Sequence, residues 1–527
     1  MIFLFVIVPI LIAVFLYLFP HSRIARIIVI IAQAALVCCA FYLFTITRDS
    51  ALVSSIGNFD SVLGIMLIAD SLSSVFIVLT TFAFFIAAVY SYHEDNSGLF
   101  WFLLFIWEGL LLGILLAGDL FNIFVLVEVA TVVVAVLIMF NRGKRSMYDG
   151  MVYLMVNVVV VQFYLFGIGY IYKLTGVLDI SRAGEILQTL DKSQLVLPYA
   201  LIITTIALKC AFMPLYSWLP RAHGSPGAPS SVSAILSGLH IKCGLYLFIR
   251  VQELFGPASQ ANFFLVIGII TGVAGFMMAL SQTDIKKILA FSTISQVGLI
   301  TIGLNVADTY TFTGSLYHIV NHSLFKMALF LSAGIIINIY GTRDINKIRG
   351  LFKKSPLIAV VTIMAIFGIT GVPMFNGSIS KYFIVSGTNW IVTAAIIFIN
   401  LGTVTLFIRY SMILFGKPEG IPENIKIDEF QKAAVTILGA LCFITGIFGE
   451  EFIQLLFNLT VSVDTADFLQ KAGLFAGSLV CGFLIFKYYV PKSKFIGKIG
   501  NIDPGFRGIC ISIGLFFALI LITSSYF

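Results

Sequence analysis

Stretches of eighteen or more apolar residues, nearly free of charge, recur along almost the whole chain, and they constrain the fold more than any other feature. As a helix, each stretch covers the roughly 30 Å of hydrocarbon in a bilayer core. Within lipid every backbone N–H and C=O must be satisfied inside the chain, which leaves helices or a closed barrel. Period-two alternation is weak, so the barrel is disfavoured. Hydrophobic residues make up 60% of the sequence and charged residues 11%, a balance no water-exposed globular surface tolerates. The predicted class is an all-α integral membrane protein embedded in the lipid bilayer. Its first run, Met1 to Pro20, lacks a basic start and a small-residue cleavage site and reads as a spanning helix.

Dividing the chain at its polar breaks predicts about 14–16 transmembrane helices. The breaks group them as residues 1–97 (spans 1–3), 98–251 (spans 4–8), 262–416 (spans 9–13) and 433–527 (C-terminal spans). The third span is placed near 62–91 and the fourteenth near 433–456. The twelfth, near 355–388, is too long for one straight helix and reads as two half-helices. Lys417 to Lys432 reads as a short polar loop. Basic residues segregate to alternate loops: Arg23, Arg26, Arg142, Lys144, Arg145, Lys286, Lys287, Arg343, Lys347, Arg349, Lys353 and Lys354 fall on one side. The opposite side holds only Arg48, Lys173, Arg182, Lys192, Arg250 and Lys471. Because cytoplasmic loops collect Lys and Arg, both termini are predicted outside a cell membrane that the chain crosses many times. The same rule accounts for the net charge of +7 without nucleic acid. The seven cysteines sit mostly inside apolar runs, with neither metal-ligand nor disulfide spacing, so no metal or other cofactor is expected of this chain.

Six cations belong to no loop; Arg409 and Lys487 lie near cytoplasmic helix ends and can snorkel, which leaves Lys209, Lys242, Lys326 and Lys381. A Lys at mid-membrane costs about 2.5–3.5 kcal/mol on insertion scales, so it is normally paired, hydrated or functional. His318, His322 and Lys326 follow one another in steps of four, which places them on one face of the eleventh span. Glu108 and Glu128 lie in the apolar fourth and fifth spans, and His240 precedes Lys242. A Glu and a Lys in reach of each other at about 4 Å and an effective dielectric near 20 interact by roughly 4 kcal/mol, enough to switch a lysine between holding and releasing a proton. For Glu108 and His240 a purely structural role stays open. Helix breakers accompany two of the lysines: Pro214, Pro220, Pro226 and Pro229 follow Lys209 in span 7, and Gly371, Pro373 and Gly377 precede Lys381 in span 12. Interrupted helices at membrane depth line cavities and bind ions in transporters. The two breaks lie five spans apart, so spans 4–8 and 9–13 are predicted to be inverted five-helix repeats, with helices 7 and 12 broken.

Four motifs carry a family resemblance: GDLFNIFVLVEV from Gly118 to Val129, PLYSWLPRAHGSPGAPSSVSAILSG from Pro214 to Gly238, DIKKILAFSTISQVG from Asp284 to Gly298, and HIVNHSLFK from His318 to Lys326. Their order resembles the antiporter-like subunits of the complex I superfamily, which includes Mrp cation/proton antiporters and membrane-bound hydrogenases. The wording before Glu128 is most similar to the Mrp D-type subunit. The resemblance implies a mid-membrane proton relay in which Glu128 modulates Lys209, Lys242 bridges, His318, His322 and Lys326 continue the path, and Lys381 exchanges protons with the aqueous side. It also implies other membrane subunits as partners in a hetero-oligomeric complex, with protons, or protons and Na+, as the transported ions. The C-terminal pair of spans, near 470–490 and 507–526, goes beyond the usual core of this family.

Three functional readings follow. The chain is a translocating subunit of a multisubunit antiporter; or the same pump serves a redox complex such as a hydrogenase or quinone oxidoreductase; or the buried charges hold a non-transporting scaffold together. The chain has no CxxC cluster, dinucleotide fingerprint or nucleophile motif, so it carries no redox catalysis of its own.

Overall fold

A computed structural model describes residues 2–19, 22–56, 64–94, 97–256, 260–418, 426–500, 502 and 504–525. Its elements run α1 (Leu4–Leu18), α2 (Arg23–Ile46), the strands β1 (Leu52–Ser55) and β2 (Met66–Ala69), α3 (Ser71–Tyr90), α4 (Gly98–Leu116), α5 (Leu120–Ile138), α6 (Lys144–Thr175), α7 (Ile180–Leu187) and α8 (Lys192–Lys209). There follow α9 (Trp218–Gly224), α10 (Ser230–Ile235), a π turn (Leu236–His240), α11 (Ile241–Phe255), α12 (Ala261–Ser281), α13 (Ile285–Leu304) and α14 (Thr309–Tyr340). The last third comprises α15 (Leu351–Lys354), α16 (Pro356–Thr370), α17 (Asn376–Ser386), α18 (Trp390–Ser411), α19 (Glu429–Ile447), α20 (Gly449–Phe457), α21 (Thr465–Leu484), α22 (Lys494–Ile499) and α23 (Phe506–Ser525).

Among the described residues 13 helices are long and apolar enough to cross a membrane. The remaining predicted spans are α1 and α16, of 15 residues each, and α8, which stops at Lys209. The protein is a multi-pass helical membrane protein.

Two boundaries differ from the sequence reading. The third span begins only at Ser71, because Asp70 and Ser73 form a reciprocal capping box and the apolar residues before it, Met66–Ala69, pair antiparallel with Leu52–Ser55. Residues 62 and 63 of that predicted span lie outside the described residues. The fourteenth span is two helices that part at Phe448. Of the predicted polar loop Lys417 to Lys432, residues 419–425 lie outside the described residues.

Spans 4–8 and 9–13 share a common sequence of elements. Both α6 and α14 have 32 residues and end on a left-handed glycine, Gly176 at φ 72° and Gly341 at φ 64°, where a side chain would be strained. Asp119 caps α5 and bridges to Asp179, while Asp284 caps α13 and bridges to Asp344. From Lys144 to Thr309, Thr175 to Tyr340, Gly176 to Gly341, Asp119 to Asp284 and Asp179 to Asp344, the step is the same 165 residues. Asp70, like Asp119 and Asp284, serves as a helix cap.

The second segment is held by close helix contact. A Cβ placed on Gly298 of α13 would lie 2.6 Å from the Gly268 carbonyl oxygen of α12, so only glycine lets the two backbones approach. At the C-terminus α23 packs on α8 and α6, while α21 leans on α18 and leaves most of its surface exposed. Arg409 donates to the Leu280 carbonyl, and Lys487 lies over the Phe483 and Tyr488 rings.

Candidate functional site: a buried row of titratable side chains

The row starts where α8 breaks. Lys209 is its final residue; the chain then turns through Ala211 (φ 55°) and resumes as helix at Trp218, whose Nε1 donates at 2.7 Å to the Leu208 carbonyl, which also accepts from the Ala211 N–H at 2.9 Å. Lys209 is thereby aimed into the bundle. Its Nζ donates to Thr131 Oγ1 on α5 and Asn157 Oδ1 on α6, both at 2.8 Å. Glu128 lies one turn before Thr131. It is half-buried, with its Oε2 buried and without a hydrogen-bond partner, and Lys209 acts on it through space. The two are near each other without being locked in an ion pair.

From Asn157 the row continues inward. Asn157 donates to the Tyr153 carbonyl at 2.8 Å, and the Tyr153 hydroxyl meets His240 Nε2 at 3.3 Å. His240 closes the π turn, its ring 5.7 Å from Trp107 and 6.3 Å from Trp218. Such turns disturb the regular backbone ladder and occur often at functional sites. Lys242, two residues on and fully buried, donates to the Ser237 carbonyl within this turn. Ser237 Oγ in turn meets Thr293 Oγ1 of α13 at 2.7 Å.

The same face of α13 receives Lys326, whose Nζ donates to the Leu289 carbonyl at 2.9 Å and to Ser292 Oγ. His318, His322 and Lys326 do form one stripe on α14, all fully buried. Neither ring nitrogen of His322 has a hydrogen-bond partner. His318 is held at both nitrogens, by Ser380 Oγ at 2.8 Å and Gln296 Oε1 at 3.1 Å. Ser380 precedes Lys381, the terminal member. Lys381 lies past the break between α16 and α17 and donates to the Ile369 and Thr370 carbonyls at 2.7 and 3.2 Å and to Asn400 Oδ1 at 2.7 Å. Those carbonyls form the negative end of α16, which favours an ammonium there. Lys381 borders a cavity of about 230 Å³.

The structure therefore brings Glu128, Lys209, His240, Lys242, His318, His322, Lys326 and Lys381 into one row. Glu108 lies apart from it. Fully buried on α4, it accepts from Gln33 Nε2 of α2 at 2.7 Å, and among the described residues no hydrogen bond joins it to the row. At the far end of α11, Arg250 pairs with Asp70. Burial opposes the charge of Asp70, but Arg250 and the Ser73 backbone N–H outweigh it and hold the carboxyl below its usual range.

Sequence reading misses the neutral members: Thr131, Tyr153, Asn157, Gln296, Ser380 and Asn400. Small polar residues are ordinary in membrane helices, so none stands out alone. The 165-residue step singles some of them out, because it sets Thr131 against Gln296, Tyr153 against His318 and Asn157 against His322.

A polytopic helical membrane protein with two broken helices and a buried row of ammonium, imidazole and carboxyl groups belongs among the ion-handling membrane subunits. Residues 117–408 match the family model described as NADH:quinone oxidoreductase/Mrp antiporter, TM, and the chain is a member of that family. It is 29% identical over 485 residues to the D-type subunit of the Na(+)/H(+) antiporter of Alkalihalophilus pseudofirmus, an alignment covering 88% of this chain and 96% of that protein. It is 30% identical over 421 residues to the N-type subunit of the NADH-quinone oxidoreductase of Desulforudis audaxviator, covering 74% and 83% respectively. The fold is shared with a chain of the Mrp complex from a Dietzia species, at a TM-score of 0.80 and 21% identity, over 95% of this chain and 99% of that one.

Proposed function

We propose that this chain is the antiporter-like, proton-carrying subunit of a multisubunit Mrp-type cation/proton antiporter, and that protons travel along the row from Glu128 and Lys209 through Lys242, Lys326, His322 and His318 to Lys381. The observation that carries this reading is the row itself: four lysines at 0–9% exposure, each held by neutral oxygen atoms and, among the described residues, none by a carboxylate. A scaffold would pair such charges, because an unpaired buried ammonium is costly. A relay needs them loosely held by groups that accept either protonation state. Glu128 acts as the switch, since its carboxylate feels Lys209 and is free to approach or leave it. The name of the Alkalihalophilus relative supports the antiporter assignment, and that of the Desulforudis relative supports the second reading, in which the same row is driven by a redox complex.

The 165-residue step and the matching bridges support an inverted pair of units, spans 4–8 and 9–13, each with a broken helix as its fourth member. The basic loops support both termini outside the cell membrane. Beside Glu128, α5 presents Phe121, Val125, Val129 and Val132 outward, an apolar stripe suited to a neighbouring membrane protein of the complex.

The test is cation-dependent proton movement in vesicles that contain the whole complex, comparing wild type with Lys209→Ala and Glu128→Ala at matched assembly. Loss of transport in an assembled variant is the expected result. Survival of transport in both removes the relay.

A further inference from the structure

The cavity at Lys381 has an unusual wall. Its far side is α21, the first of the two C-terminal spans, and the residues α21 turns into it include Asp467 and Lys471. Away from the cavity α21 faces outward, with Leu469 and Val480 more than half exposed. Toward the bundle it presents the pair Asp467 and Lys471 among apolar residues such as Phe468 and Phe475. Asp467 accepts from Lys471 Nζ at 2.9 Å, and that ammonium sits 3.7 Å from the centre of the Tyr382 ring, the residue next to Lys381. Taken alone, an i, i+4 pair in a first helical turn is an ordinary stabilising contact of about 0.3–0.5 kcal/mol. This one borders a space of about 230 Å³ that Lys381 also borders; the lining is mostly apolar, but Lys381, Asn400, Asp467 and Lys471 are among its polar groups, and there is room for several waters beside them.

We propose that α21 completes an outer vestibule for the relay and that Asp467 is the carboxylate that receives the proton Lys381 releases. This rests on the reading of Lys381 as the last member of the row. The vestibule holds two ammonium groups and one carboxylate, so a metal cation is repelled there, whereas a proton passes by transfer. In the step, one N–H bond of the Lys381 ammonium breaks and its electron pair stays on nitrogen. Across bridging water an O–H bond forms on Asp467. Lys381 is left as a neutral amine, still bordered by Asn400 Oδ1 and the Ile369 and Thr370 carbonyls. Asp467, partly exposed, hands the proton to the outer solution and returns to Lys471.

The experiment uses the whole complex in vesicles, with rates divided by the amount of assembled complex. It compares Asp467→Asn, Asp467→Glu and Lys381→Ala with wild type, each at rising concentration of a membrane-impermeant sulfonate buffer on the outer side. Asp467→Asn is expected to slow proton movement about tenfold, less than the roughly 10²–10⁴ typical of an enclosed proton-transfer group because the vestibule is wet. Asp467→Glu and the buffer should each restore most of the rate, which a merely structural role does not allow. A wild-type rate in Asp467→Asn, or a loss that neither Glu nor buffer restores, overturns the vestibule. If Lys381→Ala abolishes movement in that case, the relay stands and only this inference falls. If Lys381→Ala transports normally, the relay reading falls and the vestibule with it.

Discussion

Asn157 offers the sharpest test of how the row holds a proton. The Lys209 ammonium has three N–H donors and two side-chain acceptors, Thr131 Oγ1 and Asn157 Oδ1, each at 2.8 Å. Asn157→Leu keeps the side-chain size and removes one acceptor. A hydrogen bond to a charged group contributes about 1.5–3 kcal/mol, and about 1.36 kcal/mol is tenfold. The charged state of Lys209 should therefore be populated about ten- to a hundredfold less, and transport through it should fall by a similar factor. Asn157 also donates to the Tyr153 carbonyl within α6, but that carbonyl can remain in the helix ladder, so folding should be little changed. The assay is the initial rate of vesicle acidification per assembled complex, for Asn157→Leu, Thr131→Val and the pair together. Because both residues serve one ammonium, the double variant should depart from additivity. A wild-type rate in Asn157→Leu would refute the idea that these two oxygens define the proton-holding site.

Further expectations concern contacts outside the row. Gly298→Ala forces α12 and α13 apart and should destabilise the protein by about 1–3 kcal/mol, seen as a lower Tm of the purified complex; an unchanged Tm contradicts the close contact. Glu108→Gln keeps a hydrogen-bonding partner for Gln33 and should transport normally, whereas Gln33→Leu strands the buried carboxyl and should lower Tm, so a transport defect in Glu108→Gln places Glu108 in the pathway after all. Asp70 has its carboxyl held below the ordinary range in the fold, so its pairing with Arg250 stabilises above the unfolded value near 3.9 and fades as pH falls through the lower folded value. Thermal melts of wild type and Asp70→Asn should therefore differ at neutral pH and converge below about pH 4; parallel curves across that range argue against the pair.

Spans were the most legible part of the chain, because a bilayer imposes one length and one polarity on every crossing. Where the reading slipped, a local competitor prevailed: the Asp70–Ser73 cap starts α3 late, and the apolar residues ahead of it found a strand partner in Leu52–Ser55. The lysines and histidines of the row were visible because an intramembrane charge is expensive and therefore conspicuous. Thr131, Asn157 and Gln296 were not, since neutral polar residues carry little cost and their meaning depends on which helix faces them. Glu108 shows where a sequence stays silent about partners. It is as conspicuous in sequence as Glu128, yet its partner, Gln33, lies 75 positions away on a helix that no motif connects to it.

The constant 165-residue step has a consequence for direction. On the proposed inverted arrangement of spans 4–8 and 9–13, two like units have no front or back between them: what one favours, its twin undoes. Any preferred sense of flow must then reside in the matched positions where the twins disagree. Within the row those positions are chemically lopsided, with Thr131, Tyr153 and Asn157 on one side and Gln296, His318 and His322 on the other. At these positions one unit offers two hydroxyls and an amide, and the other an amide and two imidazole rings. The asymmetry of the machine is thus a matter of side chains laid over a symmetric frame.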